Sequence, residues 1–163
     1  MSLGSSRGPV VGGRSQGSPS DPRGEKVVGV VLQPVGAGAE PLVRHLAEAV
    51  ADVLAWEASV RSALPWPAAT YAPERLQHHA LRLLHLLVEQ PRDPSTVLLG
   101  VADADLYVPD ETFVLGISNR PARAAVIGLA RLRQEFWGLP ADEGLFRTRA
   151  VKLALHQLGH ALG

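Results

Sequence analysis

The sequence predicts an α/β fold, a mixed and twisted sheet with flanking helices, on three observations. The run Val27-Val28-Gly29-Val30-Val31-Leu32 is β-branched and nearly continuous, as a strand covered on both faces requires. Two long stretches after it carry apolar residues at helical spacing. Three short strand-like segments then follow one another before a last helical stretch. The resulting order, β-α-α-β-β-β-α, is not strict alternation, and so points to a mixed sheet rather than a purely parallel one.

Composition bounds what such a fold can do. At 163 residues the chain is about one ordinary domain, and an apolar share of 46% is enough to bury a real core. Sixteen basic and sixteen acidic side chains cancel. A general nucleic-acid binder, which needs a basic surface, is therefore not expected. The absence of cysteine rules out disulfides, thiolate metal sites and a cysteine nucleophile within this chain. No apolar run approaches the roughly 20 residues needed to span a bilayer, and the N-terminus lacks the pattern of a signal peptide. The expectation is a soluble cytoplasmic domain that works without a membrane. Its oligomeric state is not written in the composition.

Residues 1–25 are dominated by Gly, Ser, Pro and Arg, with only Val10 and Val11 able to bury anything. Such a stretch cannot offset its ordering entropy, and a disordered arm is expected there, followed by one domain over 26–163. The first strand covers 27–32 and is broken by Gln33-Pro34-Val35-Gly36. Glu40 and Pro41 open a helix, Pro41 fitting the first turn where a missing N–H costs little. Leu42, Leu46, Val50, Val53 and Leu54 form its apolar stripe, and it ends near Trp56. A loop at Pro65-Trp66-Pro67 precedes a second helix over 73–89, with Leu76, Leu83, Leu84 and Leu87 on one side. Strands follow at Thr96–Ala102, 113–117 and 124–129, divided by turn-forming residues. The last helix runs from about Phe146 to the C-terminus.

That helix carries the chemistry. His156 and His160 are four apart, so on a helix they leave one face about 5–6 Å apart at Cβ and can reach a single metal ion together. Zinc favours nitrogen ligands in a tetrahedral set. Val151, Leu155, Leu158 and Leu162 would hold the helix against the sheet. Gly159 and Gly163 are costly in a helix unless something approaches closely or the helix ends there. Taken alone, the pair reads sooner as two solvated or hydrogen-bonded helix histidines.

His156-x-x-x-His160-x-x-Gly163 resembles the start of the metzincin signature H-E-x-x-H-x-x-G-x-x-H, in which the glycine turns the chain toward a third His. Upstream, the stretch from Leu99 through Asp103-Ala104-Asp105-Leu106-Tyr107-Val108-Pro109 is similar to the archaemetzincins. So are Phe113-Val114-Leu115-Gly116, the run Ala125 to Arg133, and Leu32-Gln33-Pro34-Val35-Gly36. The resemblance covers about 26–163. It implies a zincin-like fold with a C-terminal active-site helix, a catalytic Zn2+, peptide or protein substrates, and hydrolysis of peptide bonds by zinc-activated water. It also implies that His156 and His160 are metal ligands, that Gln157 stands at the position of the general-base Glu, and that a peptide adds itself along a cleft-edge strand at 124–129. An amide cannot accept a proton, and losing a general base costs roughly 10²–10⁴-fold. By the same resemblance the chain stops before the third His, the Met-containing turn and the family's C-terminal cysteines. That makes it a truncated or engineered fragment, or a natural remnant, with weak or no peptidase activity. The alternative from another class is a non-catalytic peptide-binding remnant that uses the cleft without metal.

The remaining polar residues read structurally. Asp103 and Asp105, closing a strand, are expected to fix a turn through their own backbone. Arg131 and Arg133 are expected to face solvent or bond to the chain. His45, His78, His79 and His85 read as solvated helix positions, without a carboxylate at ligand spacing beside His78 and His85. Gly36-Ala37-Gly38-Ala39-Glu40-Pro41 follows a strand and opens a helix, but Pro41 takes the place of the third glycine of a dinucleotide fingerprint, so that signal is weak.

Overall fold

The computed structural model describes residues 26–163, and the expected N-terminal arm lies outside them. Strand β1 (Gly29–Val35) is followed by helix α1 (Glu40–Leu54) and strand β2 (Glu57–Val60). Two short strands, β3 (Tyr71–Ala72) and β4 (Gln77–His79), precede α2 (Ala80–Val88). Then come β5 (Thr96–Ala102), β6 (Leu106–Tyr107), β7 (Gly116–Asn119), β8 (Ala124–Gly128) and α3 (Glu143–Leu162).

The main sheet has the order β2-β1-β5-β8-β7. All of its pairs are parallel except β7 with β8, which is antiparallel. The mixed sheet is thus present, and a three-stranded sheet, β3-β4-β6, stands beside it. Alternation along the central strands divides the core in two. Val30, Leu32, Val97, Leu99, Val101, Ala125 and Ile127 face α1 and α3, while Val31, Leu98, Ala102, Ala124 and Val126 face α2. Burial on both faces is what makes these strands read as continuous apolar runs.

Several expectations need correction, among them the strand expected at 113–117, which is found at Gly116–Asn119. Strand β1 does not break at Gln33-Pro34 but runs through them to Val35. Gln33 is buried because its Nε2 donates to the carbonyls of Pro34 and Ser62, at 3.0 and 2.8 Å. Pro34 is tolerated because its missing N–H faces the side where β2 has already ended, and its carbonyl still accepts from Leu64. Val53 of α1 is exposed, and Val43 and Ala47 fill the buried stripe instead. Residues 73–79 are not helical. A turn at 73–76 joins β3 to β4, and Leu76 sits in the left-handed region at φ 55°, 75% exposed. Last, the strand at 124–129 is not an edge: β8 is sandwiched between β5 and β7, and β7 is the edge.

Candidate active-site helix and cleft edge

Helix α3 begins where Asp142 caps it, its side chain accepting from the Leu145 N–H at 2.9 Å, with Glu143 in the first turn. Phe146, Ala150, Ala154, Leu158 and Ala161 form its buried stripe. Three alanines among these five let the helix lie close against α1 and the sheet. Val151, Leu155 and Leu162, expected as anchors, are only partly buried and pack at the margin of that core.

The opposite face of α3 holds the histidines. His156 and His160 are both exposed, their ring centroids 4.5 Å apart at an interplanar angle of 85°. Their Nε2 atoms are 3.1 Å apart. Two nitrogens each about 2.05 Å from a tetrahedral zinc ion would be separated by about 3.3 Å. At 3.1 Å the two nitrogens are within hydrogen-bond distance of each other, one ring donating to the other, and the same spacing is compatible with two nitrogen ligands of one zinc ion. Among the described residues no third His, Cys, Asp or Glu completes a metal-holding group with them. Space beside Gly159 is open, and the chain takes a positive φ of 105° at Gly163, where the helix ends.

Gln157 lies between the two histidines in sequence and is buried. It lies directly under the edge strand: a Cβ placed on Gly116 would sit 3.0 Å from Gln157 Cγ and 2.8 Å from the Val126 carbonyl oxygen. Only glycine fits at that point of β7. The Gly128 N–H donates to the Leu115 carbonyl at 2.8 Å, which fixes the phase of the antiparallel ladder. By alternation, Gly116 and Ser118 then turn their backbone N–H and C=O away from β8, toward the open edge. Sequence reasoning missed this role. Its one local signal was a glycine inside an otherwise apolar strand segment.

The other polar residues have different partners from those expected. Asp105 accepts from Arg131 through both oxygens, at 2.7 and 2.9 Å, and from Gln77 Nε2 at 3.0 Å. The Arg131 guanidinium lies 3.9 Å from the Phe113 ring centroid and 4.8 Å from that of Phe136. Asp103 pairs with Arg133 at 2.6 Å. The aspartates are structural as expected, but they act on arginines far along the chain rather than on their own turn, and of the two expectations for the arginines it is bonding to the chain that holds. Of the histidines, His85 does have a carboxylate beside it, Glu89 Oε1 at 3.3 Å. His78 and His79 belong to β4, not to a helix. His78 stacks on Trp66 with centroids 4.1 Å apart, and Thr70 Oγ1 lies 2.8 Å from its Nδ1. Burial there pushes the His78 ring below its ordinary pKa. The turn before α1 offers no phosphate cradle, because the Asp103 carboxylate occupies the space beside Gly38.

The family model of peptidase family M54 matches residues 67–163, more than half of the chain and the whole of the edge strand and histidine helix. The chain belongs to peptidase family M54. The archaemetzincin of Methanocaldococcus jannaschii is 31% identical over 137 residues, covering 84% of this chain and 74% of that one. Other archaemetzincins are matched over about half of their own length, 48% and 50% in two cases. Among solved structures, the Archaeoglobus fulgidus archaemetzincin complexed with malonate superposes with a TM-score of 0.71 at 29% identity, covering 83% of this chain and 78% of that chain. A zinc-dependent peptidase from Methanocorpusculum labreanum gives 0.71 at 25% identity, over 82% and 81%. The zincin-like fold of this M54 chain is thereby established, with α3 at its C-terminal end. No helix among its described residues is long and apolar enough to cross a membrane.

Proposed function

We propose that this M54 chain holds an extended peptide along the open edge of β7, above a zinc site to which His156 and His160 contribute two ligands. The observation that carries the reading is the convergence of the two Nε2 atoms to 3.1 Å on an exposed helix face, beside the strand whose Gly116 rests on Gln157. When bound, zinc would supply a Lewis acid that polarises a peptide carbonyl and makes water more acidic.

The chain's own residues set the rest. Gly116 and Ser118 offer backbone groups for main-chain pairing, so the peptide is held by its backbone rather than by one side chain. Gln157 can orient a water through its amide but cannot take a proton from it. Hydrolysis by this chain is accordingly slower by roughly 10²–10⁴-fold than with a carboxylate at that position.

A second reading, a peptide-binding module that works without metal, is favoured by the lack of a third ligand group among the described residues. Zinc analysis of the purified chain separates the two. About one equivalent, lost in His156→Ala, supports the metallopeptidase reading. No zinc in either protein, with peptide still bound, supports the second.

A further inference from the structure

The exposed face of α3 extends beyond the histidines. Lys152 stands one turn before His156 on that face, and Arg149 lies near it a turn further back. Both line a groove of about 380 Å³ whose floor and walls include Leu132, Leu153, Trp137 and Leu139. Trp137 and Leu139 are 54% and 53% exposed, a large apolar surface left uncovered among the described residues. Leu115, the residue immediately before β7, borders the same groove.

The groove's charge is one-sided. Three of its lining residues, Arg131, Arg149 and Lys152, are cations, and none is a carboxylate. Asp105 neutralises Arg131 from behind. Arg149 directs one N–H to the Leu132 carbonyl at 3.1 Å and keeps its charge uncompensated. Lys152 has no hydrogen-bond or ion-pair partner among the described residues.

We propose that this groove is a specificity subsite of the peptide cleft, that it takes an acidic side chain, and that Lys152 selects it. The inference rests on the cleft reading above. A main chain paired with Gly116 and Ser118 runs past Leu115 and so past the mouth of the groove, directing a side chain into it rather than a chain end. The apolar walls suit the methylene arm of a glutamate, and the lysine suits its carboxylate. A charge pair beside apolar walls is also less screened than one in open water.

Binding tests this without any turnover. Blocked hexapeptides, acetylated and amidated, carry one glutamate walked through an alanine–serine background. Each is compared with its glutamine twin by calorimetry against the zinc-loaded chain. At one position glutamate should bind about fivefold tighter than glutamine. That preference should vanish in Lys152→Met and persist in Lys152→Arg. Equal affinities at every position, or a preference that survives Lys152→Met, overturn the proposal. A preference seen only when the peptide's C-terminus is left free overturns it as well, because the terminal carboxylate would then be the ligand. If no peptide binds at all, acidic or neutral, the cleft reading itself fails first.

Discussion

The aspartate–arginine clamps and the histidine pair are both polar groups set on an apolar frame, and they are finished to different degrees. Asp105 accepts three hydrogen bonds, two of them from one guanidinium, and its side chain and that of Arg131 are only 12% and 15% exposed. Three of the carboxylate's roughly four acceptor sites are filled. His156 and His160 contact each other and open to solvent, with two ring nitrogens aimed at one place. A polar group with several buried partners holds the fold, whereas an exposed pair bonded to each other is available for chemistry. Residue type alone could not have separated them, since aspartate and histidine both ligate metal ions.

Removing one member of the clamp should give the largest loss of stability. Asp105→Ala leaves the Arg131 charge unpaired between aromatic rings and should lower the unfolding free energy by about 3 kcal/mol, read from urea denaturation. A loss under about 0.5 kcal/mol would show that the Asp105–Arg131 pair does not hold the fold. Gly116→Val comes next. Its side chain meets the Val126 carbonyl and Gln157, neither of which can retreat far, and overpacking of this kind costs about 1–3 kcal/mol. Peptide binding should weaken in the same variant while zinc binding persists, because the histidines lie on the helix and not on the strand.

The open pair should behave in the opposite way. His156→Ala removes no buried contact and should shift stability in the absence of zinc by less than about 0.5 kcal/mol. It should abolish the rise in melting temperature that zinc gives to the parent chain, since a ligand that binds only the folded state stabilises it. The smallest effect concerns His78, a histidine that is neither clamped by charge nor open. Its folded pKa is held below the unfolded value of about 6.5 by burial. Below pH 6.5 the unfolded chain therefore binds more protons than the folded one, and stability should fall as the pH drops. His78→Phe keeps a ring against Trp66 and should flatten that part of the profile.

How much of this was legible in the sequence follows from the range of the forces involved. Strand β5 was read at its observed bounds, Thr96–Ala102, because both faces are buried and turn residues close both ends. The H-x-x-x-H geometry was legible because a spacing of four is settled within one helical turn. By contrast, the helix expected over 73–89 rested on Leu76 sharing a face with Leu83 and Leu87. Pairing of β4 with β6, contributed by residues some 28 positions away, overrides that local periodicity. The edge strand was misplaced for a similar reason. Strand order is decided by which segments pair, and 124–129 looks the same whether or not β7 folds back to cover it. Lys152 gave no signal, since the groove exists only once Trp137 and Leu139 are folded beside α3.

The most direct test of the central claim is a zinc titration followed by the ring nitrogen resonances of the six histidines. The account requires the Nε2 signals of His156 and His160 to shift together and saturate near one equivalent, with His45, His78, His79 and His85 unmoved. Independent shifts of the two, or a first response at any other histidine, would contradict it.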